Sequence, residues 1–251
     1  MIWLPEMLKN EAADRISSSN IVERLKSEKD KLSEKEKELF ELCKIRYPAT
    51  STIFPPVNQN EKLKTLIQHG VDVNKKDNYG TNALHYLCCN NSSERLIDTM
   101  KLLIQLGIDV NEKNNYGYNA LHLVCQFNSS EGLIDAINLL IQLGINVNEK
   151  NNQGNNALHL LCRYNSGERL IDAINLLIQI GINVNEKSNY GNNALNLLCR
   201  YNSCEELIDA IKLLIQLGSD VNGIDVRSLL RENETRNFYE IIKLFDEASL
   251  T

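Results

Sequence analysis

Three histidines, His85, His122 and His159, recur 37 residues apart, and four cysteines, Cys88, Cys125, Cys162 and Cys199, keep the same interval. Imidazoles can ligate a divalent metal or carry a proton, and a thiolate can act as nucleophile or hold zinc. Either chemistry needs several such groups converging on one point. A fixed interval of this size instead puts equivalent side chains on successive copies of one stacked unit, so that they stand in a row. The histidines therefore read as structural, and no catalytic residue, cofactor or metal is expected. No Ser-His-Asp order, phosphate-binding glycine loop or paired-carboxylate signature stands out. Each phased cysteine lies in an apolar helical run. Packed helix layers advance by about 10 Å, too far for a disulfide between equivalent cysteines, so these thiols read as small buried hydrophobes in a reducing cytoplasm.

The elements that carry these residues follow from one template, residues 111–147. Asn114-Asn115-Tyr116-Gly117 is turn chemistry, with glycine available for positive φ. Asn119 then stands where a helix cap is wanted, and the spacing predicts a short helix over 120–127. Asn128-Ser129-Ser130-Glu131 has the form of a capping box for a second helix over 133–143. Leu133, Ile134, Ile137, Leu140 and Ile141 give that helix one apolar stripe. Gly144 closes it, and residues 145–148 lead into the next turn. Asp98, Asp135, Asp172 and Asp209 recur on the second helix as a solvated or capping row.

Helix, loop, longer helix and hairpin-like link resemble the ankyrin repeat. The family's turn, D-x-x-G-x-T-P-L-H, is matched by Asp77-Asn78-Tyr79-Gly80-Thr81-Asn82-Ala83-Leu84-His85. Its second helix and exit, ending L-L-x-x-G-A-D-V-N, are matched by Leu102-Leu103-Ile104-Gln105-Leu106-Gly107-Ile108-Asp109-Val110-Asn111. The likeness covers about residues 58–222. It implies an all-α solenoid of stacked helix pairs, and a turn histidine that bonds to neighbouring backbone. The sequence also departs from the family. Thr-Pro is replaced by Asn-Ala, the fourth copy has Asn196 in place of histidine, and each unit is longer than the usual ~33 residues. The four extra residues fall between the two helices, as a longer helix or a broader loop.

Four units are expected at 74–110, 111–147, 148–184 and 185–221. A capping half-unit at 58–73 and a degenerate C-terminal pair at 222–251 flank them. Residues 1–57 form a charged helical region. A helix over 20–46 carries Leu25, Leu32 and Leu39 at intervals of seven, with Lys29 and Glu36 in the companion seam, a poor coiled coil. It reads as a cap for the solenoid end, with homodimerisation as the alternative. Residues 1–48 hold ten acidic and ten basic side chains, so the net charge of −6 resides in the rest of the chain. An acidic balance argues against nucleic acid or an anionic membrane as partner. No stretch approaches the ~20 apolar residues of a membrane span, and the first residues lack the cationic start of a signal peptide. A cytoplasmic monomer is expected.

Copies that agree in frame differ in a few columns. One holds Tyr79, Tyr116, Gln153 and Tyr190, and its neighbour holds Thr81, Tyr118, Asn155 and Asn192. A third runs Cys89, Gln126, Arg163, Arg200, and a fourth Asn90, Phe127, Tyr164, Tyr201. In ankyrin proteins the matching positions line the concave groove. The resemblance thus implies a protein–protein interaction module. Tyr79, Thr81, Tyr116, Tyr118, Gln126, Phe127, Gln153, Asn155, Arg163, Tyr164, Tyr190, Asn192, Arg200 and Tyr201 are the expected partner contacts. Phe127, Tyr164 and Tyr201 have a second reading, as the floor of the inserted loop. A structural spacer or homo-oligomer, or a host-directed effector suggested by many Asn, Ile and Lys residues, are the alternatives. The resemblance also implies that Asn111, Asn148, Asn185 and Asn222 occupy the position that is hydroxylated in some ankyrin proteins.

Overall fold

The computed structural model describes residues 34–44, 59–90, 95–128, 132–202, 206–222, 224–231 and 238–249. Among them lie twelve α-helices and no strand. They are α1 (Glu34–Lys44), α2 (Gln59–Gln68), α3 (Ala83–Asn90), α4 (Arg95–Gln105), α5 (Ala120–Phe127) and α6 (Gly132–Gln142). Then follow α7 (Ala157–Tyr164), α8 (Leu170–Gln179), α9 (Ala194–Tyr201), α10 (Leu207–Gln216), α11 (Val226–Arg231) and α12 (Phe238–Ala248).

The helices form two rows. In the first, α1, α3, α5, α7, α9 and α11 pack each against the next. The second runs through α4, α6, α8, α10 and α12, each tied to its first-row partner. Only stacking can bury such short helices, because eight-residue helices such as α5 and α7 are marginal alone. The first-row helices are accordingly apolar nearly all round: from Ala120 to Gln126 every side chain of α5 is buried. The second-row helices keep one stripe inside, Leu133, Ala136, Ile137 and Leu140 in α6, with Asp135 outside. The core is thus a continuous band along the stack rather than a central globule.

Of the helix expected over 20–46, α1 is the described part, and Leu25 and Leu32 lie outside the described residues. Leu39, Phe40, Leu42 and Cys43 are buried, and α1 packs on both α2 and α3. The Phe40 and Tyr86 rings sit 5.2 Å apart, Lys44 stands 4.5 Å over the Tyr86 ring, and Lys75 pairs with Glu36 at 3.1 Å. Asn128 is not the cap of a second helix. It closes α5, its N–H donating to the Val124 carbonyl. In the third unit, α8 starts after Arg169 with no side-chain cap. The four extra residues appear there as a broader loop, pinned by buried Asn165, whose Nδ2 donates to the Asn128 carbonyl at 2.6 Å.

Candidate interaction surface

The histidines are the rivets of the stack. Asn119 and His122 cap α5 reciprocally: the His122 N–H donates to Asn119 Oδ1 at 3.0 Å, and Nδ1 accepts the Asn119 N–H at 3.2 Å. Nε2 then donates to the Asn155 carbonyl of the following unit at 3.2 Å. His85 does the same toward Tyr118 at 3.1 Å, and His159 toward Asn192 at 3.1 Å. Nε2 faces a carbonyl and Nδ1 is enclosed by the capping asparagine, its N–H and, in His122 and His159, its Oδ1 at 2.6 Å, which leaves neither nitrogen for a metal. Burial lowers the pKa of all three, that of His85 and His122 to about 4. Burial likewise pushes the Cys43 and Cys199 thiols up to about 12 and Cys125 higher still, so these sulfurs are unreactive packing atoms.

The hairpins are tied by amides rather than by strands. Asn114 Oδ1 accepts the N–H groups of Tyr116 and Tyr118, both at 3.0 Å, and shapes the turn. Gly117 completes it at φ 79°, where a Cβ would fall 2.6 Å from Asn152 Oδ1. Asn111, Asn148 and Asn185, the candidates for hydroxylation, bridge units: each Nδ2 donates to a glycine carbonyl 33 residues on, at 3.4, 3.3 and 2.8 Å. Asn222 instead turns back on Asp220 at 3.0 Å. Lys76 pairs with Glu112, Lys113 with Glu149 and Lys150 with Glu186, always one unit ahead. Those pairs hold the Glu149 and Glu186 carboxyls below their ordinary range.

Against this frame the fourteen expected contacts separate. Tyr118 is only 2% exposed, edge-on to His122 with centroids 5.9 Å apart, and Thr81, Asn155 and Gln126 are buried as well. Buried as they are, these four cannot present a side chain to a partner. Phe127 and Tyr164 are half-buried against the core. Tyr79, Tyr116, Gln153 and Asn192 are half-exposed on the hairpins, and Tyr190 is 61% exposed. At the ends of α7 and α9 the side chains interleave. The Arg163 guanidinium lies 4.9 Å from the Tyr164 ring and 4.5 Å from the Tyr201 ring, and Arg200 lies 5.9 Å from Tyr201. Tyr201 is 47% exposed. Asp98, Asp135, Asp172 and Asp209 are all exposed on the second row.

A model of ankyrin repeats in three copies matches residues 56–151 and again 129–225. The chain belongs to the ankyrin-repeat family. Its histidine rivets and two helix rows are the ankyrin frame, with the usual cap residue replaced by asparagine. Ankyrin repeats are generally protein–protein interaction modules and typically have no enzymatic activity. No curated protein matches the chain. Among the described residues no helix is long and apolar enough to cross a membrane.

The cross-unit amides of Asn115, Asn152, Asn189, Asn165 and Asn202, and the Lys–Glu pairs, go beyond what was expected from the sequence. The available signal was asparagine and Glu-Lys held constant in loops, where solvent alone would let them drift.

Proposed function

We propose that this ankyrin array binds a protein partner through the face where α7 and α9 end, with the hairpin tips beside it, and performs no catalysis. The stack of Tyr164, Arg163, Tyr201 and Arg200 is the observation that supports this reading. A guanidinium held between two phenol rings is already positioned, so little rotamer entropy is lost on docking, and tyrosine and arginine dominate binding hot spots. The equivalent positions of the first two units, Cys89 and Gln126, are buried, which favours a contact in the C-terminal half of the array. Tyr190, Tyr79, Tyr116, Gln153 and Asn192 extend it along the hairpins. In this reading α1 belongs with α2 as the first helix pair of the array, ahead of the units at 74–110, 111–147, 148–184 and 185–221. Homodimerisation through the N-terminal helix draws no support from α1, whose Leu39 is spent against its own chain.

Affinity capture with the full chain and with an Arg163→Ala, Tyr201→Ala variant tests the proposal. The variant keeps its circular dichroism and thermal midpoint and loses the protein that the parent retains. Equal retention by both would place the contact elsewhere.

A further inference from the structure

The hairpin ladder stops one rung early. Asn115, Asn152 and Asn189 each donate a backbone N–H to the preceding hairpin, to the carbonyls of Tyr79, Tyr116 and Gln153 at 2.9, 3.0 and 2.9 Å. Each also donates Nδ2 to the carbonyls of Asn78, Asn115 and Asn152 at 3.0, 2.9 and 3.0 Å. Beside them runs the row of Lys–Glu pairs, in which the glutamate stands three residues before the asparagine: Glu112 and Asn115, Glu149 and Asn152, Glu186 and Asn189. The fourth hairpin offers the same acceptors onward, the carbonyls of Asn189 and Tyr190, together with the cation of Lys187. Among the described residues none of the three is met. The sequence gives the cause. Seven residues separate Asn185 from the helix cap Asn193, whereas only Gly223 and Ile224 separate the equivalent Asn222 from Asp225. Asp225 does hold the cap position, its Oδ1 accepting the Ser228 N–H at 3.2 Å as Asn193 accepts that of Asn196 at 2.9 Å. The last unit therefore keeps its helix pair and has lost its finger. Space confirms it: a Cβ on Gly154 would lie 2.4 Å from Asn189 Oδ1, while one on Gly191 would meet nothing within 4 Å. Lys187, Asn189, Tyr190 and Gly191 are all exposed.

We propose that this open edge is a docking site for a turn of another protein that carries an acidic residue three positions before an asparagine. Such a turn supplies what the missing finger would have supplied. Its asparagine N–H and side-chain amide reach the Tyr190 and Asn189 carbonyls, and its carboxylate reaches Lys187. A second copy of this chain does not fit. In its first hairpin the residue three before Asn78 is Lys75, which would confront Lys187, and Lys75 is already paired with Glu36 at 3.1 Å. The edge shares Tyr190 with the hairpin contacts proposed above but none of Arg163, Tyr164, Arg200 and Tyr201, so failure of peptide binding here and failure of the Arg163→Ala, Tyr201→Ala test are distinguishable.

The probe is a peptide with the sequence of residues 148–156, Asn-Glu-Lys-Asn-Asn-Gln-Gly-Asn-Asn, flanked by an added cysteine at each end and cyclised through their disulfide, added at about 1 mM to the ¹⁵N-labelled full chain. Amide shifts are expected at residues 187–192, weakened at least about fivefold when the peptide glutamate is lysine. Lys187→Glu in the protein should reverse that preference. Shifts confined to other residues, or equal response to both peptides, would overturn the proposal. So would concentration-dependent dimerisation in sedimentation that Lys187→Glu abolishes, because a second copy would then hold the edge. A chain with residues 186–192 in place of Gly223 and Ile224 tests the edge without a diffusible peptide. Its thermal midpoint should rise by about 3 °C, and no rise would also overturn the proposal.

Discussion

Replacing His122 by asparagine isolates one rivet of the stack. The fold accepts asparagine there, because Asn196 already occupies the position in the fourth unit and caps reciprocally with Asn193 at 2.9 Å in both directions. The variant keeps the cap and loses the bond from Nε2 to the Asn155 carbonyl. At pH 7 that loss should cost roughly 1–3 kcal/mol, the penalty of a buried carbonyl left without its donor. The pH dependence is the sharper test. His122 has an ordinary pKa of 6.5 unfolded and about 4 folded, because burial opposes its charge. As pH falls below 6.5 the unfolded chain takes the proton first, so stability is lost between 6.5 and 4 and the loss levels off below that window. Between pH 7 and pH 5 this one group should cost the parent about 2 kcal/mol, and it costs the variant nothing. Glu149, Glu186, His85 and His159 titrate in both proteins and largely cancel in the comparison. Urea unfolding followed by circular dichroism at the two pH values reads the difference. The stability gap should narrow or reverse on acidification. A gap unchanged between pH 7 and pH 5 would refute the claim that the buried ring is neutral.

Gly117→Ala and Gly191→Ala should separate strain from collision. Both carry positive φ, which costs about 1–2 kcal/mol with a Cβ, but only Gly117 would also strike Asn152, so its thermal midpoint falls further. Tyr118→Ala should destabilise by about 3–5 kcal/mol as a buried aromatic, while Tyr190→Ala stays within about 0.5 kcal/mol; equal effects in urea melts would contradict the burial pattern. Deleting residues 1–57 strips α1 from Tyr86 and the rest of α3, and should lower the midpoint and raise dye binding to exposed apolar surface. Cys125 and Cys162 should resist a thiol reagent in the native chain and react only on unfolding; rapid labelling in buffer would show that the layers open locally.

The frame was largely legible because it is written several times. The helix expected over 120–127 is α5 to the residue, since asparagine before an apolar run has one common use, and Gly144 ends α6 at φ 76°. What sequence could not rank was exposure among the columns that vary. Tyr118 and Tyr190 both sit in hairpin turns, of the second and fourth units, and differ in depth: the first lies beside its own His122, the second stands at an edge with no following finger. The capping partner was also hidden, because histidine closing a box on asparagine replaces the usual glutamate or glutamine. Cross-unit bonds such as that from Asn165 to Asn128 link residues 37 apart and so leave no local pattern.

We propose docking of a protein partner where α7 and α9 end. Its most direct test is photocrosslinking in the native cell, with benzoylphenylalanine placed at Tyr201 and, as a control, at Asp172 on the exposed side of the second helix row. One protein adduct from the Tyr201 position, reduced by Arg163→Ala and missing from the Asp172 position, is the predicted result. Adducts of the same protein from Asp172 and none from Tyr201 would contradict the account.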